Sequence, residues 1–117
     1  MKLQNKLVKC IDNKEFQLKE TILMTLVNFL VKLNSLSPEY IELIELFPIY
    51  NDCVQLELTV GKLYIEIEIF ENVQNIYIEN IMNDKSDDFD LSVSGDNLAY
   101  VVFSLIKMYE LLIDWLL

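Results

Sequence analysis

Three strand-like segments carry the side chains of this chain most able to do chemistry. In "VQLELTV", residues 54–60, Glu57 stands between apolar residues. In "LYIEIEIF", residues 63–70, Tyr64, Glu66 and Glu68 alternate with leucine and isoleucine, and "QNIYIENI", residues 74–81, adds Tyr77 and Glu79. Alternate residues of a strand point to one side, so these six side chains would share a face. Paired carboxylates can act as general acid and base. Glutamate interleaved with tyrosine can instead meet a basic protein surface, through charge and through apolar area with a polar tip. Acid–base work needs two carboxyls with separated pKa values. A flat, wet sheet face offers nothing to separate them, so binding is the preferred reading.

A second acidic group follows in "NDKSDDFD": Asp84, Asp87, Asp88 and Asp90. It reads as a solvated loop that adds to the same partner-binding surface. Asp84, Ser86, Asp88 and Asp90 copy the alternate spacing that opens a calcium loop. Phe89 then stands where the bend glycine belongs, and Gly95 where the bidentate glutamate belongs. Cys10 and Cys53 have no histidine to join them, which excludes the usual zinc sets. Both read as reduced, partly buried small hydrophobes.

The chain has no histidine and no arginine. The usual neutral-pH acid–base group and the usual bidentate anion clamp are both missing. There is no glycine-rich phosphate loop. The expectation is a protein that is not an enzyme and needs no cofactor or metal.

Charge narrows the partner. The net charge is −10 over 117 residues. Residues 1–35 hold six lysines against Asp12, Glu15 and Glu20, whereas residues 36–117 hold only Lys62, Lys85 and Lys107 against sixteen acids. Such a field repels nucleic acid and attracts basic proteins. No direct nucleic-acid binding is expected. The lysines of the N-terminal third read as a solvated helix face.

These residues need elements to position them. Residues 2–11 lean to helix. A longer helix runs to Asn34, with Asp12 as cap and Glu15 completing a capping box; its polar stripe is Thr21, Thr25, Asn28 and Lys32. In "SLSPEYIELIELFP", Ser37 and Pro38 start a short helix whose Tyr40, Leu43, Ile44 and Phe47 share a face, and Pro48 stops it. Gly61-Lys62 is a two-residue turn with glycine first, the type II′ signature. It sets Val60 against Leu63, Leu58 against Ile65, Leu56 against Ile67 and Val54 against Ile69. A turn near Glu71-Asn72 then sets Ile76 against Ile67 and Ile78 against Ile65. On the other side Glu57 and Tyr77 flank Glu66. "FDLSV", residues 89–93, reads as a fourth strand. Ser94 or Asp96 caps a final helix from about Asn97, whose Lys107, Glu110 and Asp114 argue against a membrane span.

The fold class expected is α+β, one domain over residues 1–117. N-terminal helices and a long C-terminal helix would cover one face of an antiparallel meander of three or four strands. The helices have more apolar surface than one sheet face needs, which points to a homodimer or a client groove. Nothing at the N-terminus reads as a signal peptide, so a cytoplasmic location is expected.

The stretch "PIYNDCVQLEL…KLYIEIEIF" resembles a hairpin found in many small bacterial proteins, often encoded near toxin or defence genes. The glycine usual before its first strand and the tryptophan usual at its end are replaced here by Cys53 and Leu58, and no family is named from it. Size, acidity and a meander with flanking helices also resemble type III secretion chaperones. Those usually place a helix within the strand order, and none is expected between these strands. Two functions are therefore carried forward. The first is a non-catalytic inhibitor of the immunity-protein, antitoxin or anti-defence (anti-CRISPR) kind. It would neutralise a basic, nucleic-acid-processing protein by an acidic face that copies phosphate charge. The second is a small acidic dimeric chaperone or adaptor that holds an apolar client through its helices.

Overall fold

A computed structural model describes Gln4, Asn5, Val8, residues 18–50 and residues 52–116. Five strands form one antiparallel sheet in chain order: β1 (Glu45–Tyr50), β2 (Cys53–Val60), β3 (Leu63–Ile69), β4 (Gln74–Asn80) and β5 (Ser86–Leu91). Among the described residues the helices with full bounds are α1 (Glu20–Leu36), α2 (Pro38–Leu43) and α3 (Gly95–Leu116). The class is α+β, and among the described residues no helix interrupts the strand order.

Gly61-Lys62 fixes the register of the sheet centre. Gly61 has φ +59°, the positive value that the first position of a type II′ turn requires and that glycine adopts without strain. Val60 then pairs with Leu63, Leu58 with Ile65, Leu56 with Ile67 and Val54 with Ile69, while Ile76 and Ile78 of β4 pair with Ile67 and Ile65. Every residue named in that register except Val60 is buried, at most 2% exposed. A slip by one residue would turn these side chains to water and the glutamates inward.

The helices close this apolar face. Ile22, Leu26, Phe29, Leu30 and Leu33 of α1 and Leu98, Ala99, Val102 and Ile106 of α3 join the strand residues in one core. Ser94 begins α3: the Asn97 N–H reaches Ser94 Oγ at 3.4 Å, and the Leu98 N–H donates to the Ser94 carbonyl at 2.9 Å. Among the described residues no helix is long and apolar enough to cross a membrane.

Three elements differ from the sequence expectation. The helix expected from Asp12 begins at Glu20, after Lys19 with extended backbone (φ −57°, ψ 146°). Asp12, Glu15 and Cys10 lie outside the described residues; Gln4, Asn5 and Val8, within the stretch that leans to helix, are helical. The short helix stops at Leu43, and Glu45–Tyr50 forms a fifth strand. Phe47 therefore leaves the helical face expected for it. The pairings explain how Pro48 fits a strand. In antiparallel pairs, hydrogen-bonded and non-bonded positions alternate. The two-residue turn makes Val60 and Leu63 a bonded pair, so Val54, Leu56 and Leu58 bond to β3, and Gln55 and Glu57 face β1. The backbones of Glu45 and Phe47 then turn toward β2, whereas Leu46 and Pro48 turn to the open edge. Proline, which has no N–H, is tolerated there. Finally, the strand expected at 89–93 runs from Ser86 to Leu91. Pairing to residues 74–79 of β4 overrides the poor strand propensity of Asp87 and Asp88.

Candidate functional site: the open sheet face

The face away from the helices is ordered in three cross-strand rows. One row crosses the whole sheet: Glu45, Glu57, Glu66, Tyr77, Asp88. A second is Phe47, Gln55, Glu68, Asn75, Asp90. A third is Thr59, Tyr64, Glu79, Ser86. Neighbours in a row stand about 4.8 Å apart, and same-face residues along a strand about 6.7 Å apart. Seven carboxylates (Glu45, Glu57, Glu66, Glu68, Glu79, Asp88 and Asp90) share the face, and no lysine stands in any of the rows.

Hydrogen bonds hold this array in place. Tyr64 Oη lies 2.9 Å from Glu57 Oε1 and 3.1 Å from Glu66 Oε2. Its one proton is shared between two carboxylates that face each other across β2 and β3. Gln55 donates to the same Glu57 oxygen at 3.0 Å. Tyr77 donates to Glu79 at 2.9 Å, and its ring meets Tyr64 edge-on at 6.4 Å between centroids. Asn75 Nδ2 bonds Asp88 and lies 2.9 Å from Asp90 Oδ1. Burial, reinforced by the Glu57 hydrogen bond and the Glu66 charge, holds the Tyr64 phenol far above its usual range. It stays a neutral donor. Tyr77 is shifted the same way, first by its bond to Glu79.

Glu68 is different. Among the described residues it has no hydrogen-bond donor and no cation. Partial burial, then the charges of Glu66 and Asp88, raise its pKa above the ordinary carboxylate value. The folded state therefore holds more protons than the unfolded chain as pH falls through that region, and stability rises. Glu68→Gln is expected to melt higher than wild type at pH 7. The difference should close as pH drops below the raised pKa. Paired thermal melts from pH 7 to pH 4 check it; a constant gap would mean that ionisation of Glu68 is not the cause.

The structure brings together eight of the ten residues expected at the site: Glu57, Tyr64, Glu66, Glu68, Tyr77, Glu79, Asp88 and Asp90. The other two stand apart. Asp84 lies in the β4–β5 turn with φ +60°. Asp87 pairs with the inward Ile78 and accepts a hydrogen bond from Tyr109 of α3, on the helix side. The acidic loop expected at 84–90 is thus mostly strand. Extended backbone spreads Ser86, Asp88 and Asp90 along a line, where a calcium loop would converge them; among the described residues no group of three acids or thiols is placed to hold a metal ion.

Glu45 and Phe47 belong to the face and were missed with β1. Phe47 is 44% exposed at its margin, a large apolar side chain beside the acids. The signal available was Pro48, compatible with an edge strand. Cys53 is a free, buried thiol. Burial, then the charges of Glu68 and Asp52, pushes its pKa up to about 11. In a Cys10→Ser background, folded protein at pH 7.5 should react with iodoacetamide at least a hundredfold more slowly than protein in urea, since the thiolate is the reactive form. Equal rates would mean an open thiol.

No protein-family model matches the chain, and no curated protein or solved structure matches it.

Proposed function

We propose that this is a non-catalytic binding protein that neutralises a basic partner through the open face of its sheet. The observation that carries the reading is the row Glu45, Glu57, Glu66: three carboxylates abreast on neighbouring strands with no cation among them. Like charges directly opposite each other destabilise a sheet, so folding alone does not ask for this arrangement. A basic surface would relieve it. Tyr64 and Tyr77 supply the apolar area with polar tips that interfaces favour, and Phe47 adds an apolar margin. A regular acidic array also suits a site built for nucleic-acid phosphates. The class this supports is a cytoplasmic inhibitor of the immunity-protein, antitoxin or anti-defence kind. Its target would be a nucleic-acid-processing protein.

The test is affinity capture from host lysate with wild type beside Glu57→Lys/Glu66→Lys/Glu68→Lys, at low and high salt, with partners identified by mass spectrometry. A basic partner lost in the variant and at high salt is the expected result. A partner retained in both would move the interface to the helices. That outcome would favour an acidic dimeric chaperone or adaptor, a reading supported by exposed Met24 and Val31 on α1 and Met108, Leu111 and Leu112 on α3.

A further inference from the structure

The two edges of the sheet differ. On β1, the outward backbone positions are Leu46 and Pro48, and the register shifts between Pro48 and Tyr50. A missing N–H and a bulge are both devices that stop further strands from adding. The β5 edge carries neither.

The hydrogen-bond phase identifies which groups β5 leaves free. The Phe70 N–H donates to the Val73 carbonyl, and the Asn80 N–H donates to the Lys85 carbonyl. Alternation then places Ile78 with Asp87, Ile76 with Phe89 and Gln74 with Leu91 at bonded positions. The backbone N–H and C=O groups of Ser86, Asp88 and Asp90 point away from β4, to the open edge. Their side chains are exposed and lie on the acidic face, while Phe89 and Leu91, on the helix side, are only half-buried.

We infer that the β5 edge takes a basic extended segment of the partner as a sixth strand. The inference deepens the acidic-face reading and rests on it for the sign of the partner. Backbone hydrogen bonds would be made with Ser86, Asp88 and Asp90. Residues of the incoming segment opposite Asp88 and Asp90 would share their face. Lysine or arginine fits there, alternating with apolar residues that extend the layer beside Phe89 and Leu91. Charge selects against a second copy. Two β5 edges in antiparallel contact would set aspartate against aspartate, a repulsive pairing, whereas a basic strand meets the same groups with opposite charge.

The probe is a capped hexapeptide of alternating lysine and valine, added to the full chain and followed by amide hydrogen exchange and NMR. Expected are slowed exchange at the Ser86, Asp88 and Asp90 amides, and little binding by a peptide with the same residues in two blocks. Methylating the backbone nitrogens on the edge-facing side of the peptide should abolish binding. Asp88→Pro removes one edge N–H and, with the carboxylate, the side-chain bond from Asn75, but leaves the backbone bonds to β4, and should weaken binding at least tenfold. Asp88→Asn, which keeps the N–H, should weaken it less and serves as the second variant should the proline disturb β5.

Equal binding by the methylated peptide, with shifts at Tyr64 and Tyr77 and none at the edge amides, would overturn the sixth strand and leave the acidic face standing. No binding at millimolar peptide would also overturn it, while lysate capture judges the face independently. Edge protection that grows with protein concentration and without peptide would show a second copy as the occupant and overturn the basic segment.

Discussion

Gly95→Ala is expected to remove about 2–3 kcal/mol of stability, a large part of what a chain of this size has. A Cβ at Gly95 would collide with the Thr25 carbonyl oxygen and lie 2.8 Å from Asn28 Cβ and 2.9 Å from the Phe29 nitrogen. Two of these three are backbone atoms of α1 and cannot rotate aside. α3 would have to lift from α1, and Phe29, Leu98, Ala99 and Val102, all buried, would lose packing in the shared core. Gly61→Ala makes the informative comparison. Nothing lies within 4 Å of a Cβ there, and the cost is the positive φ alone, about 1 kcal/mol. Urea melts of the two variants should therefore differ severalfold in lost stability, with Gly95→Ala also speeding amide exchange in α3. If Gly95→Ala lost no more than Gly61→Ala, α3 would not seat on α1 at this point.

That contact also marks where sequence reasoning stopped. Thr25 and Asn28 belong to a polar stripe, and polarity alone assigns a stripe to water. Gly95 stands in "SGDN", which reads as a strand end and cap. Nothing local says that the stripe takes the glycine against its backbone, because the contact joins residues seventy apart. The sheet centre was legible for the opposite reason. A two-residue turn fixes the phase, strict alternation permits one register, and both signals are local. β1 was hidden because Tyr40, Leu43, Ile44 and Phe47 keep helical spacing into a strand, and because proline usually ends an element. Only knowledge of which edge Pro48 faces makes a strand acceptable there. Asp87 and Asp88 hid the first half of β5 by poor propensity, which pairing with β4 outweighs. The acidic face was accordingly readable on β2, β3 and β4. Its margins, Glu45 and Phe47 at one side and the division of Asp87 from Asp88 and Asp90 at the other, depend on the two strands that local signals did not settle.

If the acidic face is a binding surface, stability and binding must respond to charge with opposite signs. Glu66→Lys would set an ammonium opposite Glu57, between Glu68 and Tyr64 on its own strand. One repulsive cross-strand pair becomes attractive, and the change should raise stability by about 0.5–1.5 kcal/mol, less whatever the lost Tyr64 contact contributed. The same substitution places a positive charge at the centre of the surface offered to a basic partner. Binding should fall tenfold or more for Glu66→Lys, and further for the triple reversal with Glu57→Lys and Glu68→Lys. Salt gives the same division without mutation. Screening relieves the row Glu45, Glu57, Glu66 and should raise the wild-type melting temperature, while it weakens attraction to a basic surface. A face that only keeps the sheet soluble has no reason to show the second effect. Calorimetric melts and partner titrations of wild type and Glu66→Lys at 50 and 500 mM salt separate the two. A variant that gains stability and keeps its affinity would show that these carboxylates strain the sheet without serving the interface.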